Sequence, residues 1–150
     1  MPRRTRQEIY PDTATFHFYN KNPRNRITGD CAFRAIATAT GKPWDEVVME
    51  MARMSCETGY AINDKKGIER YLESLGWKKH KQPRKRDNTK YKGYNFCRRI
   101  QNPESVYHKY ADKNIIAMIG GHHIVAICNG KVYDHWNSTG GCIGNYWSKM

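Results

Sequence analysis

The stretch His123-Ile124-Val125-Ala126-Ile127-Cys128-Asn129-Gly130-Lys131-Val132-Tyr133-Asp134-His135-Trp136 sets the register of what surrounds it. Asn-Gly between two β-rich runs is the signature of a two-residue type I′ turn, in which both central residues take positive φ. With Cys128 paired to Lys131, Val125 falls opposite Asp134 and His123 opposite Trp136. Side chains alternate along a strand, so His123, Val125, Val132, Asp134 and Trp136 share one face, and His122, Ile124, Tyr133, His135 and Asn137 the other. His123 and Asp134 become diagonal neighbours, roughly 7–8 Å apart at the backbone and within side-chain reach. Parity therefore selects His123, rather than His122, as the partner of Asp134.

Working outward, Asn114 to Ile119 and Ile143 to Trp147 read as further strands, and Thr13 to Tyr19 alternates small or polar residues with aromatics as a strand does. The earlier part of the chain is mainly helical in pattern. Cys31 to Thr40 is apolar on more than one face and stops at Gly41; Pro43 suits the first position of a second helix carrying Trp44, Val47, Val48, Met51 and Met54 to about Glu57. A third begins at an Asn63 or Asp64 cap, with Ile68, Tyr71, Leu72 and Leu75 on one face and Gly76 as its stop. A fourth is expected from Pro103 to Ala111, capped by Asn102, with Val106, Tyr107 and Tyr110 inward. Helices followed by sheet predict one α+β domain over residues 1–150 with a mainly antiparallel sheet. Residues 1–12 are expected to form a mobile basic arm.

Thr28-Gly29-Asp30-Cys31 places a cysteine at the head of the central helix. Asp30 is a good N-cap and Gly29 permits a sharp entry, so Cys31 becomes the first helical residue, where free N–H groups and the helix dipole favour a thiolate. A carboxylate holding one imidazole nitrogen while the other faces a thiol is an arrangement for acyl transfer. Each part also has a plainer reading: a structural cysteine in the core, a strand-end histidine bonded to backbone, an edge-strand aspartate. The combination favours the chemical one.

The chain of 150 residues carries 26 Lys and Arg against 14 Asp and Glu, a net charge of +12, so an acidic partner has to be considered. The charge is concentrated in a basic loop, residues 78–93, which contains Pro83 and few aliphatic residues. It reads either as a solvated surface loop or as a guide for an acidic substrate or nucleic acid, with Tyr91, Tyr94 and Phe96 as stacking groups. The five cysteines are odd in number and widely spaced, with no Cys-x-x-Cys pair, which argues against a disulfide framework or a zinc site. No apolar run approaches the roughly 20 residues of a membrane span, and the N-terminus has no apolar segment after its basic residues; a cytoplasmic protein is expected.

A cysteine opening the central helix, a histidine opening a strand, and an acid followed two residues later by Trp together resemble the papain-like cysteine peptidases, whose Asn-Ser-Trp segment matches Asp134-His135-Trp136. The resemblance implies a papain-like fold, with Cys31 as nucleophile, His123 as general base and acid, and Asp134 as the group that orients it. A wider resemblance, over nearly the whole chain, is to small phage and bacterial proteins described as papain-like. It rests on Asn22 to Arg24, Thr28 to Cys31, Arg34-Ala35, Thr40 to Lys42, Trp44 to Val47, Gly121 to His123, Tyr133 to Trp136 and Tyr146-Trp147, and implies a bacterial or phage-infected host cell. The papain-like pattern has a Gln shortly before the nucleophile as oxyanion donor; here the candidates are Asn22 and Asn25, with the backbone N–H groups at Cys31. Asn137 replaces a common Asp and is free to support His122 or a substrate.

The expected activity is thiol-based hydrolysis of a peptide, isopeptide or side-chain amide in an acidic protein, in a groove between the Cys31 helix and the hairpin lined by Gly29 and Trp136. Deamidation and acyl transfer to an amine need the same three residues. No cofactor or metal ion is called for. The competing class is a non-catalytic binder that uses the basic loop on nucleic acid or an acidic protein; weak, non-specific nucleic-acid binding is expected.

Overall fold

A six-stranded mixed sheet forms the centre of the protein, with strand order β1-β5-β4-β3-β6-β2. The structure, a computed structural model, describes residues 3–149. The strands are β1 Phe16–Phe18, β2 Trp77–His80, β3 Asn114–Ile119, β4 His123–Cys128, β5 Lys131–Asp134 and β6 Ile143–Lys149. All neighbours run antiparallel except β1 and β5. The helices are α1 Arg6–Ile9, α2 Cys31–Thr40, α3 Trp44–Thr58, α4 Lys65–Ser74 and α5 Gly93–Gln101, with a 3-10 helix at Val106–Tyr110. No helix among the described residues is long and apolar enough to cross a membrane.

Helices cover both faces of the sheet, which is why β3 and β4 are apolar throughout rather than alternating. On one face Ile116, Ile124, Ala126, Cys128 and Trp147 pack against α2, α3 and α4 through Ala32, Ile36, Val47, Met51 and Leu72. On the other, Ile115, Ala117, Ile119, Val125, Ile127 and Val132 pack against Phe96, Cys97 and Ile100 of α5 and Tyr110 of the 3-10 helix. The central hairpin has the expected register, Cys128 opposite Lys131 and Ile127 opposite Val132, and both turn residues have positive φ, Asn129 at 53° and Gly130 at 73°.

Several expectations need correction. The segment expected to be a mobile arm carries α1, capped by the Thr5 side chain, and Arg6 donates from Nε to the His135 carbonyl (2.5 Å); residues 1 and 2 lie outside the described residues. The basic stretch is not one open loop. Lys78 to His80 belong to the edge strand β2, which pairs with β6, and residues 84–90 close into a tight excursion bridged between Arg84 and Lys90. Tyr91 and Phe96 are buried in the core and unavailable for stacking. Gly93, Phe96, Cys97 and Ile100 form the buried stripe of α5, a helical period hidden among flanking charges. Gly93 is required there: a Cβ would lie 2.6 Å from Ile119 Cδ1 and 2.9 Å from the Thr139 carbonyl oxygen. The expected helix from Pro103 to Ala111 shrinks to the 3-10 turn, capped by Ser105 rather than Asn102, with Tyr110 inward but Val106 74% exposed.

Candidate functional site

Cys31 is the first residue of α2, as its position after Gly29-Asp30 predicts, but the reason is not a conventional cap. The Asp30 side chain makes no hydrogen bond to the helix N–H groups. Its carboxylate instead turns inward, accepting from Arg34 Nε (2.8 Å), Asn22 Nδ2 (3.1 Å) and Trp44 Nε1 (3.0 Å). Arg34, one turn along α2, competes for Asp30 with a charge-assisted bond stronger than an amide can offer. Gly29 does not have a positive φ, and a Cβ there would meet nothing within 4 Å; its glycine is not what turns the chain. The N–H groups of Cys31, Ala32 and Phe33 precede the first intrahelical bond, which runs from the Arg34 N–H to the Asp30 carbonyl. With Asp30 diverted, the helix start keeps unfilled donors beside the thiol.

His123 and Asp134 meet as pleat parity requires: His123 Nε2 donates to Asp134 Oδ2 at 2.5 Å. Asp134 is 1% exposed and accepts three further bonds, from Arg34 Nη1 (2.7 Å), the His135 backbone N–H (2.8 Å) and Ser138 Oγ (3.1 Å). The Arg34 guanidinium thus ties Asp30 to Asp134, all three being nearly inaccessible to water. The Trp136 ring packs on His123, centroids 5.1 Å apart, and shields the imidazole–carboxylate bond.

How Cys31 reaches His123 follows from the end of the hairpin. Helix α2 lies on the sheet face of Ile124 and Ala126, whereas His123 belongs with Val125 and Val132 to the opposite face. The two would be separated by a continuous sheet. The β4–β5 ladder stops at Ala126 and Tyr133, however, and the head of α2 meets the His123 ring at this open end. With Nε2 committed to Asp134, Nδ1 is the nitrogen left for the thiol. The Ile124 N–H also favours the Cys31 thiolate.

The electrostatics favour a charged pair. Burial alone would raise the Cys31 pKa, but hydrogen bonding and charge from His123, the Ile124 N–H and the Arg34 cation together bring it below its ordinary value. Burial opposes the His123 cation too, yet the bond to Asp134 and the nearby thiolate raise its pKa to about 9. Asp134 is desolvated, which works against its charge, but His123 and Arg34 hold its pKa below the usual carboxylate range. Burial pushes Cys97 and Cys128 the other way, up to about 12. A thiolate beside an imidazolium held by a carboxylate can attack a carbonyl carbon and then protonate the leaving group.

A cavity of about 330 Å³ opens beside Cys31, floored by Ala32, Ile68, Met118, Ile124 and Trp147 and rimmed by Gly29, Asn63, Lys65 and His122. Comparison with protein-family models, with curated proteins and with solved structures finds no match.

The remaining candidates fall elsewhere. Gly29 lines the cavity as expected, but Trp136 does not; it sits behind His123. Asn22 is buried and spends its amide on Asp30, while its side-chain oxygen accepts the Arg24 N–H. Asn25 is exposed, at φ 53°, and its side-chain oxygen accepts from Asn20 (3.3 Å). Neither asparagine lines the Cys31 cavity. Asn137 accepts the Thr139 N–H and hydroxyl in a local turn rather than supporting His122. Sequence reasoning missed the role of Arg34. Its signal is a lone guanidinium three residues after the cysteine, on a helix otherwise built of Ala, Ile, Phe and Thr.

Proposed function

We propose that the protein is a cysteine-dependent acyl-transfer enzyme on a papain-like scaffold, a peptidase or isopeptidase acting on an acidic protein in the cytoplasm of a bacterial or phage-infected cell. The observation that carries this reading is the His123 ring held by Asp134 close to the Cys31 thiol at the head of α2, beside an open cavity. The Cys31 thiolate attacks the carbonyl carbon, and the carbonyl π electrons move onto oxygen. The unfilled N–H groups at the start of α2, that of Cys31 among them, receive the oxyanion. His123 gives its proton to the departing amine as the C–N bond breaks and the thioester forms. It then takes a proton from water, whose oxygen attacks the thioester and releases Cys31. Asp134 holds the ring in one orientation and supports the imidazolium.

Deamidation of a side chain, or transfer of the acyl group to an amine, follows the same steps with a different leaving group or acceptor. The test is a mass-spectrometric comparison of bacterial lysate proteins exposed to the protein and to Cys31→Ala. New termini, released isopeptides, deamidated residues or crosslinks that depend on Cys31 support the reading and name its branch. Identical proteomes, with an unreactive Cys31 thiol, overturn it in favour of a binding protein.

A further inference from the structure

The other side of the sheet carries a second feature that acyl transfer does not use. Between residues 78 and 113 lie twelve Lys and Arg against three Asp and Glu, so this segment holds nine of the twelve net positive charges. Four of these cations, Lys85, Arg86, Arg98 and Arg99, line one cleft of about 430 Å³ together with Tyr91 and Asn95. At a liquid share of ~30 Å³ per water, that volume holds far more than one ordered solvent molecule. The lining includes no carboxylate and shares no residue with the Cys31 cavity.

None of the four cations takes part in an ion pair among the described residues. Lys85 lies over the Tyr91 ring and Arg98 over Tyr94, while Arg99 Nε is buried with no hydrogen-bond partner. Arg98 and Arg99 are in the last turn of α5, where the helix dipole favours a cation. That accounts for two charges and not for four converging on one cleft. The loop that brings Lys85 and Arg86 is held in place: the Lys85 N–H donates to the Thr89 carbonyl, the Asn88 N–H to the Lys85 carbonyl, and Arg84 Nη1 to the Asn88 carbonyl. Asp87, at its tip, is occupied by the Thr89 N–H and hydroxyl. Four cations are therefore presented by ordered backbone with no ion pair to any of them among the described residues, Asp87 being a carboxylate near enough to feel Lys85.

We infer that the cleft between the Lys85–Arg86 loop and the last turn of α5 binds the phosphodiester backbone of a nucleic-acid duplex without reading its bases. Guanidinium forks suit phosphate oxygens. The same segment carries further cations at Lys78, Lys81 and Lys90, whereas Lys79 faces the other side of β2 and is paired with Glu69; a polyanion with a charge every ~1.7 Å of axis suits such a density. Of the three aromatic candidates, Tyr91 and Phe96 are buried and the half-buried Tyr94 ring is covered by Arg98. This inference stands independently of the chemistry at Cys31.

The experiment is fluorescence anisotropy of a labelled 20-base-pair duplex of arbitrary sequence, titrated with the full chain at several salt concentrations. Four phosphate contacts predict a slope of about −3.6 in log K against log[salt]. Arg98→Gln with Arg99→Gln should weaken binding and reduce the slope by about 2, and Lys85→Gln with Arg86→Gln, confined to a surface loop, should do the same. Both pairs should leave the alkylation rate of Cys31 unchanged, which verifies the fold. Absence of duplex binding at low salt, or an unchanged slope in a folded pair variant, overturns the inference. So does displacement of the duplex by polyglutamate at equal charge concentration, which would assign the cleft to an acidic protein.

Discussion

Replacing Arg34 by Met tests whether the site is held by the Asp30–Arg34–Asp134 bridge. The guanidinium is 7% exposed, and its partners are 3% and 1% exposed, so its removal leaves buried Asp30 with no cation and Asp134 with His123 alone. Breaking a buried pair by deleting one partner costs roughly 3–5 kcal/mol, a large share of the roughly 5–15 kcal/mol typical of a domain. At roughly 2–4 °C per kcal/mol for a chain of this size, the melting temperature should fall by about 10 °C. The deficit should also depend on pH in a defined direction. In the wild type the Asp134 pKa is lowered, so its contribution is present above the unfolded carboxylate value and lost as pH falls through the folded one. Without Arg34 the burial that opposes the Asp134 charge is no longer offset by this cation, and protonation relieves the cost. The difference between variant and wild type should therefore shrink on acidification from pH 7. Thermal unfolding followed by circular dichroism reads both effects. A deficit below about 0.5 kcal/mol at pH 7, or one that grows on acidification, would refute the bridge as the organising contact.

Cys31 should be the thiol modified first by a small electrophile at neutral pH, since its pKa is lowered while those of buried Cys97 and Cys128 rise to about 12; peptide mapping that finds Cys56 or Cys142 labelled ahead of it would remove the nucleophile assignment. His123→Ala should abolish turnover as completely as Cys31→Ala, Asp134→Asn should cost less, and His122→Ala, an exposed rim residue, should be mild. Because the His123 pKa is raised to about 9, its stabilising contribution is complete below the unfolded value near 6.5 and is lost as pH rises through about 9. A wild-type melting temperature that declines across that window, with a flatter profile in His123→Ala, is the expected result.

How much of this was legible in the chain depends on the range of each signal. The Asn129-Gly130 turn is local, so the hairpin register and the choice of His123 over His122 could be read directly. The Asp64 cap and the Ile68, Tyr71 and Leu72 stripe likewise announce α4. Helix α5 was hidden because its buried stripe of Phe96, Cys97 and Ile100 is interleaved with Lys92, Arg98 and Arg99, and charge density masked the period. Asp30 misled for a different reason. Capping propensity is a preference against water, and here a guanidinium four residues on outcompetes the helix N–H groups. Asn22 and Trp44 could not be connected to Asp30 from spacing, because they meet it only through tertiary structure.

Side-chain contacts of the same kind explain why the open end of the hairpin can persist. Parting β4 from β5 beyond Ala126 exposes strand N–H and carbonyl groups that a sheet would normally satisfy, a cost of about 1–3 kcal/mol for each group left unpaired. The site fills the gap with replacements. The His135 N–H, which would otherwise face β4, donates to Asp134 Oδ1 (2.8 Å), and the His135 carbonyl accepts from Arg6 Nε (2.5 Å). The first of these bonds also supports the Asp134 carboxylate, and the second ties this end of the hairpin to α1. A further β4–β5 rung at Ile124 and His135 would satisfy the strands at the expense of this opening. The interruption of the ladder is thus what lets a helix on one face of the sheet share a site with a histidine from the other.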